Sequence, residues 1–82
     1  MPNYIRQLQM DFPALTGAEI RLFLLIKLGF GNNEIAGTLG ISQESVYKSR
    51  FRLRKKLGCA KDLGLDEFIQ AYAAASKLDD KS

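Results

Sequence analysis

Three residues near the middle of this chain, Gly40-Ile41-Ser42, separate two segments that each read as a helix, and the gap is too short for anything but a turn. Before it, Asn33 to Leu39 presents Ile35, Ala36 and Leu39 on one side and stops at Gly40, a residue that readily takes the left-handed conformation at a helix end. After it, Ser42 stands where an N-cap is needed, Gln43, Glu44 and Ser45 fill the first turn, and the helix runs to Leu57 with Gly58 behind it. Helices joined in this way cross steeply, with Gly40 permitting the turn and Ile41 expected to plug the angle between them. On a helical wheel of roughly 100° per residue, Arg50, Leu53 and Leu57 fall within about 40° of Val46, which defines an inward stripe with Arg50 along its edge. Glu44, Tyr47, Lys48, Phe51 and Lys55 point the other way, and Arg52 and Arg54 occupy the two shoulders.

The remaining punctuation is also helical. Tyr4, Ile5, Leu8 and Phe12 recur at three- and four-residue intervals, so Asn3 to Asp11 reads as an amphipathic helix stopped by Pro13. Thr16 and Glu19 form a capping box that opens a second helix with Ile20, Phe23, Leu24 and Leu28 at helical spacing, closed by Gly29. Asn32 is the expected cap of the third helix, with Glu34 in its first turn favouring the dipole. A last helix from about Asp66 to Ser76 carries the stripe Leu65, Phe68, Ile69 and Tyr72, and Ala71, Ala73, Ala74 and Ala75 are expected to leave a second face bare and small. No segment alternates long enough to read as a strand. The fold class is therefore all-α, a small bundle of four to five helices. Residues 1–13 read as an N-terminal helix, 14–78 as the domain and 79–82 as a polar tail.

Charge says what such a bundle can meet. From Ser42 to Leu57, six cations face one acid, a local +5 that leaves −2 for the rest of a chain whose net charge is +3. Lys48, Arg50, Arg52, Arg54, Lys55 and Lys56 thus make a concentrated positive field, the kind that draws polyanions. The usual parts of an enzyme or metal centre are missing, since the chain has no histidine and one cysteine, and Asp66-Glu67 and Asp79-Asp80 are sequence neighbours, not a converging pair. No enzyme activity, cofactor, metal or small-molecule site is expected. Cys59 reads as a half-buried apolar residue behind Gly58. The longest apolar run, Leu22 to Ile26, is too short to span a bilayer, and the N-terminus lacks the pattern of a secretory signal, so a cytoplasmic setting is expected.

The spacing of these signals resembles a known domain. Leu15, Thr16 and Glu19, then Gly29, Glu34-Ile35-Ala36, Leu39, Ile41-Ser42, Ser45-Val46 and Lys56-Leu57-Gly58 stand in the register of the LuxR/GerE-type helix-turn-helix DNA-binding domain, over about Leu15 to Tyr72. The resemblance implies a winged-helix-like fold without a clear wing, and double-stranded DNA as partner, with the helix from Gln43 to Leu57 in the major groove. It places Tyr47, Lys48 and Phe51 towards the bases, joined by Gln43 and Glu44 in the first turn. Ser42, Arg52, Arg54, Lys55 and Lys56 are then the phosphate contacts, Lys56 with a competing structural role near the helix end. This chain departs from the family pattern in carrying Tyr47 where relatives often have Lys and Phe51 where a polar residue is common. Phe51 can instead offer an apolar surface to a thymine methyl.

In detail the chain is similar to the output domain of large Bacteroidetes-type regulators, where it follows a tetratricopeptide or sensor portion. That similarity implies a longer parent chain, with residues 1–13 as a connecting helix, and relatives of this fold commonly dimerise through the last helix. Two other functions stand beside DNA-binding regulation: a sigma-factor region-four-like promoter module, and a protein-interaction module whose basic helix, with Tyr47 and Phe51 exposed, engages an acidic partner.

Overall fold

Helix ends organise this molecule, and most are closed by their own sequence. The computed structural model describes residues 3–75, so Ser76 and the tail Asp79 to Ser82 lie outside the described residues, as does the side chain of Tyr4. Five helices follow in order: α1 (Asn3–Asp11), α2 (Gly17–Lys27), α3 (Asn32–Leu39), α4 (Gln43–Leu57) and α5 (Leu65–Ala75). Among the described residues there is no strand. The all-α expectation is met.

At the start of α2 the capping box forms as expected. Thr16 Oγ1 accepts from the Glu19 amide at 3.1 Å, and Glu19 Oε1 accepts from the Thr16 amide at 2.8 Å. The far end closes with Phe30 N–H donating to the Leu25 carbonyl and Gly29 N–H to the Ile26 carbonyl, the paired bonds that use up orphan acceptors at a C-terminus.

The start of α3 corrects one expectation. Gly31, not Asn32, is the N-cap: its carbonyl takes the first helical bond from Ile35 N–H at 2.9 Å, and its own amide donates to Glu34 Oε1 at 2.7 Å. The Glu34 carboxylate fixes the frame, because a capping-box acid reaches back three residues and so selects Gly31 over its neighbour. Gly40 ends α3 at φ 71°, where both its own amide and that of Ile41 donate to the Ala36 carbonyl. Ser42 then caps α4, its Oγ accepting from the Ser45 amide at 3.1 Å. Three residues thus suffice to turn the chain, because the first can hold positive φ and the third can cap.

Two other positions differ from expectation. Ile41 is 39% exposed and lies at the rim of a groove, so it does not fill the angle between α3 and α4; Ile35, Ala36 and Val46 do. Ala73 is 1% exposed and belongs to the core face of α5, leaving Ala71, Ala74 and Ala75 as the exposed small residues. The last helix also begins one residue earlier, at Leu65, with the Phe68 amide bonded to the Gly64 carbonyl.

The core is built around Phe23, with Leu8, Leu22, Ile26, Ile35, Val46, Leu53 and Ile69 fully buried around it. α3 packs on α4, and α2 packs on both α4 and α5. α1 joins the same core through Leu8, while Phe12 lies against Tyr72 with ring centroids 5.5 Å apart and Tyr72 stands edge-on to Phe23 at 6.0 Å. The Tyr72 hydroxyl donates to the Asp11 carboxylate, tying α1 to α5. This frame holds α4 with one face inward and one face free.

Candidate nucleic-acid interface

α4 is amphipathic in charge as much as in hydrophobicity. Val46 and Leu53 are wholly buried and Leu57 nearly so, as the wheel predicts. The opposite face, with Gln43, Glu44, Tyr47, Lys48, Phe51 and Lys55, is exposed throughout. Tyr47 at 57% and Phe51 at 60% exposure are therefore not core aromatics.

The six cations divide into two groups that the sequence does not distinguish. Three are held within the protein. Arg50, half-buried, forms an ion pair with Asp66 of α5. Arg54 Nη2 donates to the carbonyls of Ala60 at 2.7 Å and Lys61 at 2.9 Å, closing the loop behind α4. Lys56 Nζ donates to Glu19 Oε1 at 2.8 Å and to the Ala14 carbonyl at 3.1 Å, which fastens α4 to the start of α2.

The other three reach solvent. Lys48 lies 3.8 Å from Glu44 one turn back, Arg52 makes a long 3.4 Å contact to Ser49 Oγ, and the Lys55 ammonium sits 5.1 Å from the Phe51 ring centroid. Exposed pairs of this kind are worth little and break readily for a better partner. Of the expected phosphate contacts, then, Arg52 and Lys55 are available, whereas the Ser42 hydroxyl is bonded to Ser45 as the cap of α4, and Arg54 and Lys56 are engaged elsewhere in the protein.

Glu19 is the buried acid of this frame. Burial alone would raise its pKa, but the hydrogen bond from Lys56 and those from Thr16, with the Lys56 charge, outweigh that and hold the carboxyl below its ordinary value. It serves α2 as a capping acid and α4 as a counter-ion at once. Sequence reasoning finds the first role from the Thr16 spacing. Nothing local signals the second, because Lys56 is 37 residues away.

A groove of about 970 Å³ runs along the Arg52 shoulder of α4, floored by Leu22, Leu25 and Leu39 and edged by Arg21, Ile41 and Arg52. It was not foreseen from the sequence. Cys59 is half-buried, its thiol directed at the Leu63 carbonyl 3.3 Å away, as suits a structural residue. Among the described residues no group of histidine, cysteine or carboxylate side chains could hold a metal ion, and no helix is long and apolar enough to cross a membrane.

Residues 13–65, more than half of the chain, match the family described as bacterial regulatory proteins, luxR family. The chain belongs to the luxR family. The match runs from the turn before α2 to the first residue of α5, so the whole helix-turn-helix lies inside it, and α1 lies outside. Neither a curated protein nor a solved structure matches the chain. As a luxR-family domain it is a DNA-binding helix-turn-helix of the kind used in transcription regulation.

Proposed function

We propose that this chain binds double-stranded DNA sequence-specifically as the output domain of a transcriptional regulator, with α4 lying in the major groove. The supporting observation is the division of labour along α4: Arg50, Arg54 and Lys56 fasten the helix, which leaves the face bearing Glu44, Tyr47, Lys48, Phe51 and Lys55 unobstructed. In this docking Gln43, Glu44, Tyr47, Lys48 and Phe51 meet base edges, and Arg52 and Lys55 meet phosphates. α1, which Leu8 and the Asp11–Tyr72 bond hold to the core and to α5, is assigned as the connecting element to a sensor portion. Anisotropy titration with a fluorescent random-sequence duplex tests the docking, with binding that weakens steeply as salt rises as the expected result.

A homodimer on paired half-sites is proposed through the exposed face of α5 at Ala71 and Ala74. Light scattering over a concentration series, with and without duplex, would show a species of twice the chain mass. A purely monomeric result on duplex argues against it.

A second function, docking of an acidic protein partner, is favoured by the exposure of Tyr47 and Phe51 on a cationic face. No duplex binding at low salt would select it. The sigma-factor module draws no support from the luxR match.

A further inference from the structure

The base-facing side of α4 contains no arginine. Arg50 is paired with Asp66, Arg54 is hydrogen-bonded to the Ala60 and Lys61 carbonyls, and Arg52 stands on the shoulder beside Ser49. The bidentate arginine that most often reads a guanine edge is therefore absent from this surface. One lysine remains there, Lys48, beside the Glu44 carboxylate. What the surface does offer in quantity is aromatic area: Tyr47 and Phe51, both more than half exposed, one helical turn apart on the same side.

Their arrangement suits a particular group in the groove. Four helical residues span about 6 Å, close to two base steps. The Lys55 ammonium lies 5.1 Å from the centroid of the Phe51 ring, and the ring's remaining surface is open to the groove. Of the four bases only thymine presents an apolar group in the major groove, its C5 methyl.

Resting on the DNA-binding function proposed above, we infer that Tyr47 and Phe51 are specificity-determining residues that select thymine C5 methyl groups, up to about two base steps apart. Sequence choice at these positions is then made by burial of a methyl against a ring.

The test uses the full chain and a random-sequence duplex library prepared in two forms, one with thymidine and one with deoxyuridine in its place, carried through selection in parallel. The thymidine form should yield a motif with fixed A·T pairs, and those fixed positions should disappear from the deoxyuridine selection. In the recovered duplex each thymine-to-uracil change at a contacted position should weaken binding about fourfold, the effect of removing one buried methyl. In Phe51→Ala or Tyr47→Ala, both exposed positions, the corresponding uracil change should have no further effect. An identical motif from both libraries overturns the inference, as does methyl sensitivity that persists undiminished in both variants. Either of those results leaves duplex binding intact, whereas enrichment from neither library and no duplex binding at low salt overturns the DNA-binding function itself.

Discussion

Lys56 and Glu19 form the joint between α4 and α2: the ammonium donates to Glu19 Oε1 at 2.8 Å, and the same oxygen accepts from the Thr16 amide at 2.8 Å. One carboxylate therefore completes the cap of α2 and neutralises a cation of α4. Truncation to Glu19→Ala removes both and should destabilise the domain by about 2 kcal/mol at neutral pH, read as a lower urea midpoint.

That joint also sets a pH dependence. The folded-state pKa of Glu19 is lowered, so its contribution is fully present above the ordinary carboxylate value of about 4.3 and is lost as pH falls through the lower folded value. Urea titrations at neutral pH and near pH 3 should show a fall in stability on acidification. The fall should be smaller in Glu19→Gln, whose side chain does not titrate.

Two glycines three residues apart should respond oppositely to alanine. Gly40 holds φ 71°, and a methyl there meets nothing within 4 Å, so Gly40→Ala suffers backbone strain alone and should cost about 1 kcal/mol. Gly37 lies inside α3 with open space around it, so Gly37→Ala should add about 0.5 to 1 kcal/mol. Thermal melts of the two variants provide the comparison.

α1 lies outside the residues matched to the luxR family, yet Leu8 is completely buried. Leu8→Ala should therefore cost about 2 to 4 kcal/mol and lower the melting temperature, as for any core leucine. A change under about 0.5 kcal/mol, the range of a surface substitution, would mean that α1 is an appendage.

Much of this is legible in the sequence, because the governing signals are local. Thr16 with Glu19 and the residues Gly40 and Ser42 each act within four residues, and helical spacing alone assigns Val46, Leu53 and Leu57 to the interior. The cap of α3 was displaced by one residue because Asn32 is the better capping type, while the partner that decides, Glu34, selects Gly31. The division among the cations was not legible. A wheel tells on which side Arg50, Arg54 and Lys56 emerge, but Asp66, the Ala60 and Lys61 carbonyls and Glu19 are brought to them only by the fold. Ala73 and Ile41 show the same limit, since a small residue on α5 can be covered and an apolar one in a turn left open.

The most direct test of the central claim is the salt dependence of duplex binding, measured as log K against log salt for the unchanged chain, Arg54→Met and the double variant Arg52→Ala/Lys55→Ala. Arg52 and Lys55, the two phosphate contacts of α4, should contribute about −2 to the slope per domain. Arg54→Met, provided it is folded, should keep the slope, and the double variant should flatten it by about 2, at about 0.9 for each lost phosphate contact. A double variant with an unchanged slope, or no binding to any duplex at low salt, would contradict the docking of α4 proposed here.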